Sequence, residues 1–207
     1  MNQPFFSPGH VPIGGDFATV FDPEDYLAMI NALDEATVVL RAHLVLEEFL
    51  NIWASKVTGT DDLFAGAFVS FKIKLAVCKN LGLATDLNDV LDKFNEIRNR
   101  YSHRRKYAIE ASAIESLSAT VDTVACGIPL QQCRDFEIYA NGVDGFGKRG
   151  QVTHSWSTSD PKKKLTIVQV VLVLKLVHWM QSAFNAKGIK YTLVVSSLLG
   201  QPERDGL

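Results

Sequence analysis

Three side chains near the middle of the chain have the types and spacing to act on a phosphodiester: Arg98, Asn99 and His103. Asn99 and His103 are four positions apart, so on a helix they reach the same face, and Arg98 can angle toward it. A histidine with a near-neutral pKa can remove the proton of a ribose 2′-hydroxyl. An arginine can hold the phosphate and stabilise its charge in the transition state, while the asparagine orients the histidine or a phosphate oxygen. The sequence thus predicts a catalytic set for RNA cleavage that requires no metal ion.

Further polar side chains next to this set are candidates for binding the substrate. They are Arg100, Tyr101, Ser102, Arg104 and Lys106. The cations among them form a local basic segment, although the formal net charge of the chain is −2. A near-neutral total argues against a protein that coats nucleic acid generally, but it is compatible with one local RNA site.

A purely structural explanation of the basic segment is also open. The helix dipole favours histidine and other cations near the C-terminal end of a helix. Glu96 and Arg100 also have the spacing of an ordinary i,i+4 ion pair. The residue types alone therefore do not separate a catalytic helix end from a stabilised one.

Glu47 is a possible supporting acid for the catalytic set, because the helix predicted around it could turn it toward Arg98. The alternative is that Glu47 or Glu48 is a solvated or salt-bridged surface residue, which is the commoner state of glutamate, and we favour it. His43 lies one turn before Glu47 and has the spacing to pair with it.

The bulk composition predicts a packed domain in a reducing compartment. Hydrophobic residues make up 47% of the 207 positions and charged residues 21%. The three cysteines are Cys78, Cys126 and Cys133, and an odd count without a C-x-x-C pair favours free thiols, although a Cys126–Cys133 bridge is sterically possible. The five histidines and three cysteines lack metal-ligand spacing, so no metal and no cofactor are predicted.

The sequence also predicts a cytoplasmic protein that is not inserted in a membrane. The first twenty residues contain prolines and a Gly14-Gly15 pair instead of a basic start followed by an apolar run. The most apolar run, residues 165–180, is interrupted by Gln169, Lys175 and His178, and it is short for a bilayer span.

Periodicity and turn residues predict a mainly α fold with a β-hairpin insertion near residues 135–156. We expect an irregular arm over residues 1–21, in which Phe5, Phe6, Phe17 and Phe21 pack on the body or on a partner, and a single domain over 22–207. The expected helices cover 22–57 (with a possible bend near Asp34), 65–80, a segment that begins with a cap at Asp86 or Asn88 and ends in the motif, 111–124 and 165–185. The expected strands are 135–140 and 150–156, with a turn at Asn141-Gly142 and a glycine-rich hairpin tip over 145–150, within a hairpin and loop insertion over 127–163.

The run Arg98-Asn99-Arg100-Tyr101-Ser102-His103 resembles the R-x(4–6)-H motif of HEPN domains, including the polar residue that often follows the arginine. The preceding segment, from Phe71 through Gly82-Leu83 to Phe94-Asn95-Glu96-Ile97, is similar to the HEPN-like mannitol operon repressor group. The resemblance covers about half of the chain, and the HEPN-like domain would occupy 22–207. It implies an antiparallel helical bundle that forms a homodimer, in which two copies of the motif meet in one composite ribonuclease site.

By this resemblance, Arg98 and His103 would carry the reaction and Asn99 would be the polar neighbour. Active members are often toxins of toxin–antitoxin pairs or effectors of phage defence, so the implied partners are RNA and an antitoxin or other regulatory protein. Other members have lost catalysis. The alternative expectation is therefore a non-catalytic regulator, which would bind a partner through the apolar arm or the hairpin.

Overall fold

The computed structural model describes residues 14–66, 68–103, 107–143 and 148–193. This part of the chain is mainly helical and contains one two-stranded antiparallel sheet, as predicted. Its elements are α1 (Pro23–Ile30), α2 (Glu35–Thr58), α3 (Phe71–Asn80), α4 (Thr85–His103), α5 (Ala111–Thr123), β1 (Ile138–Val143), β2 (Arg149–His154) and α6 (Pro161–Lys187). One buried apolar cluster draws side chains from all of these helices.

Local capping residues divide the predicted helix over 22–57 into α1 and α2. Asp34 accepts a hydrogen bond from the Thr37 amide at 2.7 Å and begins α2, which confirms the bend predicted there. Gly59 ends α2 with a φ of 70°, a left-handed conformation that suits glycine. The buried face of α2 then packs against α1, α3, α4 and α6, so this helix is central to the bundle.

The bundle contains neighbouring helices of both relative directions. The start of α2 (Glu35) contacts the end of α4 (Tyr101), so these two helices are antiparallel. In contrast, Ala42 contacts Gln169 and Trp53 contacts Trp179, so α6 runs in the same direction as α2. The long connection between α5 and α6 makes this possible, because it returns the chain to the end of the bundle where α2 begins. The predicted antiparallel packing therefore holds for α2 and α4 but not for α2 and α6.

Helix α6 is longer than the sequence suggested. Its most apolar 18-residue window has a mean hydropathy of 1.5, which by length and composition would allow a membrane span. In this fold 61% of that window is buried, and long apolar core helices share the same composition. Asp160 caps the helix by accepting from the Lys163 amide at 2.9 Å, and Gly188 ends it.

Two predicted element boundaries differ from the structure around glycines. The helix expected from residue 65 begins only at Phe71, after a turn in which Gly66 has a φ of 76°. Asn141 and Gly142 lie inside β1, opposite Gln151 and Gly150, so the predicted turn there is wrong. The strands remain paired up to Val143 and Arg149, and residues 145–147 of the predicted tip lie outside the described residues.

The predicted cap of α4 is also displaced. The helix begins at Thr85, so Asp86 and Asn88 both lie in its first turn. Asp86 instead accepts the Ala125 amide at 2.9 Å, which ties the start of α4 to the end of α5. An acidic side chain in this turn also favours the positive end of the helix dipole.

The described part of the N-terminal arm is packed against the body. Phe17 is fully buried, and Phe21 is partly buried against the core, whereas Phe5 and Phe6 lie outside the described residues. Gly15 has a φ of 61°, and a Cβ atom there would lie 2.4 Å from the Thr192 carbonyl oxygen, so only glycine fits.

The three cysteines, Cys78, Cys126 and Cys133, are buried and free. The disulfide that the sequence allowed between Cys126 and Cys133 is therefore not formed. Burial raises the pKa of Cys78 to about 12, which keeps this thiol protonated and unreactive.

Candidate functional site

Helix α4 carries the motif because one of its faces is fixed in the core. Val90, Leu91, Phe94 and Ile97 are buried, so their stripe fixes the rotation of the helix. The helix continues to His103, which places positions 99 and 103 one turn apart, as predicted. The side chain of His103 lies outside the described part of the structure.

Arg98 is half-buried beside this stripe and uses few of its donors within the chain. Its Nη1 donates to the Asn99 side-chain oxygen at 3.2 Å. Its Nε is enclosed, and none of the described residues accepts a hydrogen bond from it. Arg98 also forms no ion pair with the residues that the structure describes. The accessible part of a guanidinium without a carboxylate partner is suited to bind an anion.

Tyr101, a predicted substrate-binding residue, is engaged within the fold. Its hydroxyl donates to Glu35 Oε2 at 2.5 Å, and the Ile109 amide donates to the same carboxylate oxygen at 2.9 Å. Burial, followed by the nearby Glu35, raises the pKa of Tyr101 well above its ordinary value. These bonds fix both ends of the segment that leaves α4. The Tyr101, Tyr107 and Glu35 side chains also line a cavity of about 540 Å³ between the starts of α2 and α6.

The remaining predicted substrate-binding residues are divided between surface and undescribed positions. Arg100 is exposed, and its pKa is raised by a hydrogen bond to the Tyr107 side chain. Ser102 is also exposed and donates to the Arg98 carbonyl at 3.3 Å. Arg104 and Lys106 lie outside the described residues.

Glu47 is a salt-bridged residue, as the favoured alternative proposed. Its carboxylate lies 2.8 Å from the Lys74 ammonium on α3, and Glu48 accepts a hydrogen bond from Thr19 at 3.1 Å. The charges of Glu47 and Arg98 both act on the His43 imidazole, so the two groups lie in the same part of the structure.

A buried pair that the sequence analysis did not find lies between α2 and α4. His43 Nε2 and Asn95 Oδ1 are 3.3 Å apart, and the two residues are only 4% and 5% exposed. The Phe71 ring lies 4.3 Å from the imidazole, between ring centroids. Burial, with the nearby Arg98 charge, lowers the pKa of His43 despite its bond to Asn95. The partners are 52 positions apart, so the local pattern offered only the pairing of His43 with Glu47.

Within the described ranges, no group of three or more His, Cys, Asp or Glu side chains is arranged to hold a metal ion. The arrangement on α4 is that of an arginine–asparagine pair with available donors, followed one turn later by a histidine position. Comparison of the chain with protein-family models, with curated proteins and with solved structures found no match.

Proposed function

We propose that this chain is a metal-independent endoribonuclease of HEPN type that acts as a homodimer, with a role as a toxin or phage-defence effector. The observation that carries the proposal is the half-buried Arg98, which forms no ion pair with the described residues, next to Asn99 and one turn before His103. A guanidinium without a carboxylate partner is suited to a phosphate.

The proposed reaction assigns one role to each residue of the set. His103 removes the proton of a ribose 2′-hydroxyl, and the resulting oxygen attacks the adjacent phosphorus. The 5′-oxygen leaves with a proton, and the product strand ends in a 2′,3′-cyclic phosphate. Arg98 holds the non-bridging oxygens as their charge grows, and Asn99 orients the guanidinium by accepting from its Nη1.

The homodimer follows from what one copy lacks. One histidine can act as the base, but the leaving oxygen also needs an acid, and a second copy of the motif would supply it. Exposed apolar side chains on the helices that pack against α4 support self-association. Leu40 and Leu44 on α2 are 42% and 65% exposed, and Ile73 on α3 is 56% exposed.

The test is RNA cleavage by the purified protein and its His103→Ala variant. We expect the variant to lose at least about 100-fold in rate, and the parent to leave cyclic phosphate ends. His154→Ala is the matched control, because this histidine lies in β2, outside the motif, and its loss should not change the rate. Equal cleavage by parent and His103→Ala would disprove the assignment.

The composite site has its own test. A dimer of one parent copy and one His103→Ala copy contains a single His103, so a shared site that needs both histidines should cleave RNA at far less than half the parent rate. Half the parent rate in a verified mixed dimer would show that each copy acts alone and would argue against a shared site.

A second candidate is a non-catalytic regulator of the mannitol operon repressor type. It is favoured by Tyr101 and Arg100, because both side chains are engaged within the chain instead of being free for RNA. This candidate predicts that the parent protein does not cleave RNA and that a partner protein binds without any requirement for His103.

A further inference from the structure

The buried pair of His43 and Asn95 joins the centre of α2 to α4. Both side chains are almost fully enclosed, and their hydrogen bond of 3.3 Å satisfies polar atoms that would otherwise be buried alone. A polar pair of this kind is sensitive to geometry, because a small shift of one helix breaks the bond. It therefore fixes how α4 is rotated and placed against α2 more strictly than apolar contacts would.

The pair lies directly behind the proposed site. Asn95 is three positions before Arg98 and four before Asn99, so it occupies the same side of α4 one turn earlier. The Arg98 charge is close enough to act on the His43 imidazole. One turn of α4 thus connects Asn95, which bonds the imidazole, to the residue that carries the guanidinium.

The donor in this bond follows from the chemistry of the two groups. The amide oxygen of Asn95 can only accept, so His43 donates through Nε2–H. The neutral ring, enclosed by Phe71, adds no second positive charge beside Arg98. The guanidinium therefore keeps its full attraction for a phosphate.

We infer that His43 is a positioning residue for Arg98, acting through its hydrogen bond to Asn95. The inference rests on the proposed ribonuclease activity, in which Arg98 must meet the phosphate with a fixed geometry. His43 itself is too deeply buried to touch RNA.

The kinetic test compares three single variants with the parent. His43→Leu removes the donor, and we expect kcat for RNA cleavage to fall roughly 10- to 100-fold while KM changes by less than about twofold. His43→Gln can place an amide N–H where Nε2 was, and it should restore kcat to within about threefold of the parent.

Gln169→Met is the matched control. Gln169 donates a buried hydrogen bond of the same 3.3 Å length to the carbonyl of Ala42, the neighbour of His43, but from α6. Its loss perturbs the core near α2 without touching α4, so kcat should remain within about twofold of the parent. If His43→Leu loses no more kcat than Gln169→Met while both are folded, the inference is wrong.

A second measurement tests the positioning role of His43 even if the parent protein does not cleave RNA. Hydrogen exchange of the Arg98 Nε–H is followed by NMR, with the resonance assigned by its absence in Arg98→Met. We expect slow exchange in the parent and His43→Gln, and exchange at least about tenfold faster in His43→Leu. Unchanged exchange in His43→Leu would overturn the positioning role. Changed exchange in a protein that does not cleave RNA would support that role and reject only the ribonuclease.

Discussion

Lys175 and Arg98 are two cations held by the same bundle, but they differ in how their donors are used. Lys175 is 5% exposed and donates to the carbonyls of Val121, Asp122 and Val124 at 2.8, 2.9 and 3.0 Å. These carbonyls belong to the C-terminal end of α5, where backbone acceptors lack helical partners and the dipole favours a cation. All three ammonium protons are matched, so this cation serves the fold.

Arg98, which is half-buried near the end of α4, shows the opposite pattern. Among the described residues, its Nη1 bonds the neighbouring Asn99, and its Nε has no acceptor. The fold therefore requires the Lys175 ammonium, whereas the Arg98 guanidinium is available to a ligand. This difference leads to opposite expectations for stability and activity at the two sites.

The largest expected effect is on cleavage by Arg98→Met. If Arg98 stabilises the transition state as proposed, loss of the guanidinium should lower the rate about 100- to 1,000-fold. The free energy of unfolding should stay equal or rise, since no ion pair is lost and an unsatisfied polar atom is removed. Single-turnover cleavage and urea unfolding measure the two quantities, and a marked loss of stability would place Arg98 in the same class as Lys175.

Lys175→Met should produce the reverse result. The carbonyls of Asp122 and Val124 lose the Lys175 donor, while that of Val121 keeps the Val124 amide, so we expect the free energy of unfolding to fall by about 2 to 4 kcal/mol. Cleavage measured in the cold, where the variant is folded, should match the parent. A variant as stable as the parent would show that water satisfies the carbonyls at the end of α5. The proposed contrast between Lys175 and Arg98 would then be wrong.

Tyr101→Phe tests a side chain that the sequence assigned to RNA and the fold engages with Glu35. We expect the free energy of unfolding to fall by about 1 kcal/mol through the lost hydrogen bond, with KM for RNA unchanged. Unfolding and steady-state kinetics on the same protein provide both values. A raised KM without a change in stability would indicate that Tyr101, like Arg98, serves RNA binding and not the fold.

The smallest expected effect is the pH dependence contributed by His43. Its folded-state pKa lies below the ordinary value of 6.5, so below that pH the unfolded chain binds more protons and stability falls. The fall begins as the pH drops below the unfolded value and is complete below the folded one. Urea unfolding at neutral and acidic pH should show a smaller loss for His43→Gln than for the parent, and equal losses would contradict this assignment.

Features set by neighbouring residues were predictable from the sequence, and features set by distant contacts were not. The bend at Asp34, the stop at Gly188 and the helix through His103 each depend on local capping or periodicity. Asn141-Gly142 has the local sequence of a turn, yet pairing with residues 150 and 151 of β2 keeps it extended.

The contacts around the candidate site were likewise not predictable from the sequence. The sequence indicated the candidates Arg98 and Asn99, but it did not indicate that Tyr101 bonds Glu35, which is 66 positions away. The bond between His43 and Asn95 likewise joins two helices that only the packed core brings together. Tertiary contacts therefore decided which polar residues near the motif are engaged and which are available.

The most direct test of the account is binding of a non-cleavable 2′-O-methyl RNA to the parent, Arg98→Met and Lys175→Met. If the free donors of Arg98 hold a phosphate, Arg98→Met should bind at least about tenfold more weakly than the parent. Lys175→Met, measured in the cold, should bind as the parent does. Equal affinity of the parent and Arg98→Met for this RNA would contradict the account.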